Sequence, residues 1–478
     1  MNLSYILSGE VEEPILETKI NSICCDLKKY NNEDLIFLLD QRSIDTYLAN
    51  PIKASAIVTK IPFISPVGTK AYTAKNIRKA LSLACARLYA GDISKIKFVG
   101  ITGTNGKSTT AMILEKILVD NGYKVGLIGT GKIKIGEKIL TPKDYSMTTP
   151  PPNLLYSSIG MMKEQGVEII VMEVSSHALD QERVFGIKFD IGIFTNLSEE
   201  HLDYHKSMEE YFSAKEKLFT NSKSIIVNGD DSYGKRILSN YKNANSCGMD
   251  PLSNVCITTP KDLGFSGSQF IYNSDFENID IHITIPGAHN IYNTSLAMRA
   301  AELLGIDKKT IKKSVEQIDK IDGRFIIIND KVTVIIDYAH TVFAFDNLLK
   351  TLNSYKKYGQ RFILVFGCGG DRDKSKRGSM GMTSEKYADK IIITADNPRT
   401  EDPIRIIDDI AKSMVKKVEK IPNRKEAIRH AILTSNDGDL IAIVGKGPEK
   451  YTIINGVYTE FDEEAIIRAA LLERKKCE

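Results

Sequence analysis

A lysine and a serine that follow spaced glycines are equipped for phosphate chemistry. The segment Val99-Gly100-Ile101-Thr102-Gly103-Thr104-Asn105-Gly106-Lys107-Ser108-Thr109-Thr110 carries them. Glycines let a backbone turn with its N–H groups facing inward, where they and the start of a following helix bind anionic oxygens. Lys107 would add a point charge near the β- and γ-phosphates of ATP or GTP, and Ser108 a hydroxyl for Mg²⁺. The strict G-x-x-x-x-G-K-[ST] pattern fails, because Ile101 stands at its first glycine. An accidental Lys-Ser after a glycine-rich turn is the plain alternative.

Two further clusters are polar. Glu173-Val174-Ser175-Ser176-His177 ends an apolar run, and a carboxylate there is placed to meet Mg²⁺ or simply to cap a turn. Thr195-Asn196-Leu197 leads through His201-Leu202-Asp203-Tyr204-His205 to Lys215; with His177 this region holds three of the chain's seven histidines. Such enrichment points to a polar site, although one ring could be structural.

These residues need elements to position them. A strand is expected at 95–99 and a helix at 109–121, closed by Gly122, around the glycine loop. Strands are expected at 124–128, 167–174, 190–195 and 224–228, and again at 332–336, 361–366, 390–394 and 440–444, with helices at 404–417 and 463–474. Earlier lie short strands at 34–39 and 54–58 and a helix at 76–89. The pattern predicts an α/β protein of three domains: a small α/β domain over 1–92, a central parallel-sheet ATPase-like domain over 93–325 and a Rossmann-like domain over 326–478. Ligands of parallel sheets gather at the carboxyl ends of strands, where the polar clusters fall.

Composition sets limits. Of 478 residues, 42% are hydrophobic and 26% charged, as in soluble globular proteins. Lys plus Arg (64) barely exceed Asp plus Glu (61), which argues against wholesale binding of nucleic acid or an anionic membrane. No apolar run suits a membrane span, and Met1-Asn2-Leu3-Ser4-Tyr5 lacks a basic leader start, so a cytoplasmic protein is expected. Seven scattered cysteines read as reduced thiols.

Taken together, the motifs resemble the Mur ligases of bacterial peptidoglycan synthesis. The matching segments are Gly103 to Thr109, Glu173 to His177, Thr195-Asn196-Leu197 with His201 to His205, Asp337-Tyr338-Ala339-His340-Thr341, Phe366 to Lys374, Asp396-Asn397-Pro398-Arg399 and Gly445-Lys446-Gly447. The likeness is nearest to the family's third enzyme, which adds a diamino acid to UDP-N-acetylmuramoyl-alanyl-glutamate. It implies ATP as co-substrate, small-molecule partners, a monomer, and Mg²⁺ held by Ser108, Glu173, His201 and a carbamylated Lys215. Lys215 alone would read as a solvated helix lysine.

The resemblance also implies ATP contacts at Gly103, Thr104, Asn105, Gly106, Lys107, Ser108, Thr109, Asn290, Asn293, Arg324, Asp337 and His340. Thr148, Thr149, Ser175, Gln181 and Arg183 would meet the nucleotide sugar-peptide. Arg372, Asp396, Asn397, Pro398, Arg399, Gly445 and Glu449 would meet the diamino acid, with Arg399 on the distal carboxylate of meso-diaminopimelate. Lysine lacks that carboxylate.

Several positions depart from the family pattern. Val342-Phe343 follows Asp337 to Thr341 in place of Pro-Asp, Ser108 replaces Thr, Pro448 replaces His, and Asp26-Leu27-Lys28 replaces a uridine-side Asp-Ser-Arg. No uracil-binding residue is therefore assigned, and Pro448 leaves lanthionine open as a substrate. The implied reaction passes through an acyl phosphate, with domain closure assembling the site. The alternatives are folate polyglutamate ligation, disfavoured by Asp396 to Arg399, and a non-catalytic nucleotide-binding relative, disfavoured by Lys107, Glu173, His201 and Lys215 together.

Overall fold

The structure is a computed structural model that describes residues 1–478 except 27–33, 143, 144, 146, 276, 448 and 478. Leu27, Lys28 and Pro448, noted above, lie outside the described residues. Among the described residues, the strands form three main sheets and one hairpin.

The first sheet is parallel and runs in chain order: β1 (Ser22–Cys24), β2 (Asp34–Leu38), β3 (Ala56–Thr59) and β4 (Ala71–Thr73). Asn76 then caps the helix Ile77–Cys85, its side chain accepting from Lys79 N. The expected single helix to residue 89 instead changes to π geometry at Ala86–Ala90. There the Tyr89 carbonyl lies where a Cβ on Gly160 would sit, so only glycine in the helix Pro152–Glu164 allows the approach.

The central sheet comprises β5 (Lys97–Thr102), β6 (Val125–Gly129), β7 (Lys132–Ile135), β8 (Lys138–Ile139), β9 (Ile169–Glu173), β10 (Phe189–Phe194), β11 (Ser222–Asn228), β12 (Ala244–Gly248), β13 (Val255–Asp262), β14 (Ser268–Ser274) and β15 (Glu277–Ile283). Its order is β15-β14-β13-β12-β11-β10-β5-β9-β6-β7-β8. The middle strands are parallel and the two edges end in antiparallel hairpins. β6 and β9 are buried at every residue, as strands covered on both faces must be. Helices Lys107–Asp120 and Ala288–Leu303 cover one face. On the other, apolar residues of the first sheet, including Phe37, Val58 and Tyr72, share a second core with Phe98, Ile170 and Phe189 of the central sheet.

The third sheet holds β16 (Ile326–Asn329), β17 (Thr333–Asp337), β18 (Phe362–Phe366), β19 (Lys390–Ile393), β20 (Glu419–Lys420) and β21 (Leu440–Val444). Its order is β16-β17-β21-β18-β19-β20, parallel except at β16, with a core on each face. β22 (Tyr451–Ile454) and β23 (Val457–Glu460) form the hairpin. No helix among the described residues is long and apolar enough to cross a membrane.

Most expected elements are present with ends shifted by one to three residues, and three shifts stand out. β5 runs on to Thr102, the helix after the glycines starts at Lys107, and the helix expected at 404–417 spans Pro403–Ala411. Gly106, at φ 86°, turns the chain directly into the helix, which explains the early start.

Candidate active site

Two glycines shape the loop between β5 and its helix. Gly103 has φ 143° and Gly106 φ 86°, conformations that side chains rarely adopt. A Cβ would strike Thr195 Oγ1 at the first and Asn293 Oδ1 at the second. No side chain caps Lys107–Asp120, so its leading N–H groups stay available to an anion. The loop is held from outside. Asn105 O accepts from Thr195 Oγ1 (2.6 Å) and Asn196 Nδ2 (3.0 Å), Asn105 N donates to Asn196 Oδ1 (3.0 Å), and Thr104 N donates to Asn196 O (2.8 Å). Thr109 is buried, as are Asn290 and Asn293, which brace the loop from behind; Asn293 Nδ2 donates to Asn290 Oδ1 (2.9 Å) and Asn290 Nδ2 to Pro286 O (2.7 Å).

Lys107 and Lys215 meet at one carbonyl. Each Nζ donates to Gly103 O at 2.9 Å, and Lys107 also donates to Thr104 O at 2.8 Å. Lys215, on the helix Met208–Glu216, is buried, with its Nζ 4.4 Å from the centre of the Tyr211 ring. Burial pushes the Lys107 pKa down. It pushes Lys215 well down, with the Lys107 charge adding to the effect and Glu200 opposing it.

Glu173 closes β9 and is buried. Its Oε2 accepts from Ser108 Oγ (3.0 Å) and Thr130 Oγ1 (3.2 Å), and Oε1 accepts from Thr130 N (2.9 Å). Arg324 Nη2 donates to the same Ser108 hydroxyl at 3.2 Å. A polar strip continues outward from Glu173. Thr149 Oγ1 donates to Glu173 O (2.9 Å) and accepts from Ser175 N (2.9 Å), while Thr148 Oγ1 lies 3.1 Å from Thr130 Oγ1. Arg183 Nη1 donates to Thr149 O (2.8 Å), and its Nη2 to Gln181 Oε1 (2.8 Å).

His201 adopts φ 57° at the start of the short helix Leu202–His205. Its ring stands edge-on to His177, centroids 4.8 Å apart. Glu200 Oε1 lies 3.7 Å from His201 Nε2 and 3.9 Å from His340 Nε2, reaching across to the last sheet's loops. Desolvation, then the His177 and Lys215 charges, holds His201 down to about 3; desolvation and Lys376 hold His340 down to about 4. Both side chains keep nearly half their surface accessible, so it is their inner faces that are desolvated. Both rings are neutral at pH 7. Among the described residues no three His, Cys, Asp or Glu side chains form a ready metal cage. The oxygens of Ser108 and Glu173 are nevertheless the donor type a hard divalent ion prefers.

Asp337 ends β17 and fixes the junction. Its Oδ2 accepts from Phe325 N (2.9 Å) and Oδ1 from Ala339 N (2.8 Å), so Arg324, stacked 4.5 Å above the Tyr338 ring, is aimed at Ser108. Beyond β19, buried Asn397 donates through Nδ2 to Glu449 Oε2 (2.7 Å) and accepts at Oδ1 from Lys446 Nζ (2.9 Å) and Ile453 N (3.0 Å). Arg399, at φ 52°, donates through Nη1 to Gly370 O (2.7 Å). Pro398 is buried and Arg372 exposed. A Cβ on Gly369 would lie 2.9 Å from Arg399 Nη1 and 3.8 Å from Arg372 Cγ, which places the two arginines side by side. Gly445, at φ 117°, passes beside Asp396. Burial and then Asp396 raise the Glu449 pKa.

The sequence reading singled out neither Thr130, Glu200, Lys446 nor Arg377 as site residues. Arg377 is buried and binds Glu401 and Asp409, and Glu401 also accepts from Asp371 N (2.6 Å), tying the loops after β18 and β19 together. In a run rich in charge, Asp371-Arg372-Asp373-Lys374 followed by Lys376-Arg377, nothing marks which arginine turns inward.

Known proteins resemble this chain over its length. Residues 101–301 match the Mur ligase middle domain, and residues 323–447 match the Mur ligase, glutamate ligase domain. The UDP-N-acetylmuramoyl-L-alanyl-D-glutamate–2,6-diaminopimelate ligase of Clostridium tetani is 37% identical over 484 residues, covering 98% of this chain and 97% of that protein. The enzyme of the same name from Aquifex aeolicus is 37% identical over 480 residues, covering 98% and 95%. A solved structure of a ligase with this name superposes with a TM-score of 0.68 at 26% identity, covering 99% of both chains. A folylpolyglutamate synthase from Mycobacterium tuberculosis shares the fold alone, at 17% identity, a TM-score of 0.63 and coverage of 77% of this chain and 92% of that one. Whole-length identity to these ligases, with the two family domains matched in order along the chain, places the protein in the Mur ligase family.

Proposed function

We propose that this chain uses ATP to join meso-2,6-diaminopimelate to the D-glutamyl γ-carboxylate of UDP-N-acetylmuramoyl-L-alanyl-D-glutamate, in the cytoplasm and as a monomer. The observation that carries it is a single junction with two halves. The phosphate loop, Ser108 and Glu173 lie on one side; Arg324 donates to Ser108 and stacks on Tyr338, whose hydroxyl donates to Glu449 Oε1 (3.4 Å) in the cluster that holds Asp396, Asn397 and Lys446, with the Arg399 guanidinium near Glu449. The names of the full-length relatives support the same substrates. The working domains are 1–92, 93–325 and 326–478.

A carboxylate oxygen of the glutamyl group attacks the γ-phosphorus of ATP, and ADP leaves with the bridging oxygen's electrons. The diamino acid's amine attacks the resulting acyl phosphate, loses a proton, and inorganic phosphate departs. Lys107 and the loop N–H groups stabilise charge on the transferring phosphoryl. Mg²⁺, held by Ser108, Glu173 and His201, would neutralise phosphate oxygens. Lys215 is suited to take up CO₂: its burial favours the neutral amine, which adds to the carbon and releases a proton, leaving a carbamate that can serve the ion. Asn290, Asn293, Asp337 and His340 flank the nucleotide; Thr148, Thr149, Ser175, Gln181 and Arg183 face the sugar-peptide; Arg372, Asn397, Pro398 and Gly445 complete the amino-acid pocket.

The test is ADP release from purified protein given Mg²⁺, ATP and the UDP-dipeptide, with diaminopimelate, L-lysine or lanthionine in parallel. Release only with diaminopimelate is expected. Release with none of them removes the ligase reading.

A further inference from the structure

Lys446 is wholly buried, yet it lies among charges. Its Nζ donates to Asn397 Oδ1 at 2.9 Å and sits 3.5 Å from Asp396 Oδ1 and 3.8 Å from Glu449 Oε2. Behind it, buried Arg424 and Glu463 pair with each other, Nε to Oε1 at 2.6 Å, which leaves Lys446 as the cation facing the pocket carboxylates from within. A buried ammonium is costly unless its surroundings need it. Two carboxylates and one ammonium sum to one negative charge, and Arg399 opposite supplies one positive charge. Arg372, exposed at the rim, stands outside this buried group.

We infer that Lys446 is a positioning residue that sets the charge of the amino-acid pocket, so that it matches a zwitterionic far end, one carboxylate with one ammonium, over a far end bearing an ammonium alone. This rests on the proposed ligation. Asn397 is the mechanical link: one amide binds Lys446 through Oδ1 and Glu449 through Nδ2, so loss of the lysine removes one of the two groups that hold Asn397 Oδ1 and the cation beside the carboxylate that would receive the substrate ammonium. Without Lys446 the two carboxylates face Arg399 alone, a net charge of minus one in place of zero, which favours a cationic end and disfavours a second carboxylate.

The experiment compares wild type with Lys446→Met in steady-state ligation, using diaminopimelate and L-lysine as acceptors. KM for diaminopimelate should rise about tenfold and the preference for diaminopimelate over lysine should fall by a similar factor, while KM for ATP stays within about twofold. An unchanged preference overturns the inference, as does an equal rise in KM for ATP, which marks general damage. Because Lys446→Met can fail to fold, Lys446→Gln, whose amide can keep the bond to Asn397 Oδ1 while removing the charge, is measured with the same expectation, and Lys446→Met is also made in Glu449→Gln. There one carboxylate is already neutral, and KM for diaminopimelate should change by less than about twofold on adding Lys446→Met; a further tenfold loss overturns the inference. Wild type that does not ligate diaminopimelate at all defeats the functional reading itself.

Discussion

Lys215 and Lys107 share one carbonyl in a buried loop, and only one of them has a clear use as a cation. If Lys215 serves as a carbamate, Lys215→Ala lowers kcat about a hundredfold, and wild-type activity falls in CO₂-depleted buffer and returns with bicarbonate. Full activity of the alanine variant would remove the carbamate. Gly106 makes a simpler case. Its φ of 86° and the Asn293 side chain pressed against it leave no place for a methyl group. Gly106→Ala should cost about 1–3 kcal/mol in local strain and weaken ATP binding about tenfold or more, measured by calorimetry. These residues were legible in the sequence because glycine spacing and a Lys-Ser pair encode their own geometry. Lys446 was not, since a lysine between two glycines says nothing about whether its ammonium points to solvent or lies under Asn397.

At the scale of elements, the amino-acid pocket depends on how loops after β18 and β19 are tied. Arg377 is the knot, and replacing it leaves Glu401 to Lys374 and the Asp371 N–H and frees Asp409; Arg377→Met should destabilise the protein by about 1–3 kcal/mol in chemical denaturation. The Arg377 guanidinium, with the Asp371 N–H, holds Glu401 down to about 2. An unfolded glutamate titrates near 4.3, so between about pH 5 and 2 the unfolded state binds the extra proton and stability rises with pH. Acid unfolding of wild type should therefore steepen across that window, and Glu401→Gln should flatten it. Parallel strands such as β9 and β18 were visible as continuous apolar runs, and the clusters at their carboxyl ends followed. The antiparallel extension β13 to β15 was not anticipated, because its strands alternate buried and exposed residues and are short on the apolar runs that marked the others.

Across the whole molecule, the nucleotide site and the amino-acid pocket belong to different sheets and meet through few side chains. Arg324 reaches Ser108 and stacks on Tyr338, Glu200 approaches His340, and Tyr355 donates to Asp262 at 2.7 Å with its ring against Phe265. Asp337 holds the backbone from which Arg324 projects. Arg324→Ala should raise KM for ATP about tenfold with little loss of thermal stability, since it severs the bridge and leaves each core intact. Sequence motifs named the residues on each side of this junction, but their meeting depends on chain paths hundreds of residues apart. The central claim is the identity of the amino acid joined. Given Mg²⁺, ATP, the UDP-dipeptide and an equimolar mixture of meso-diaminopimelate, L-lysine and lanthionine, the product's mass reports the choice in one step. A UDP-tripeptide containing diaminopimelate is the expected product, and one containing lysine or lanthionine would contradict it.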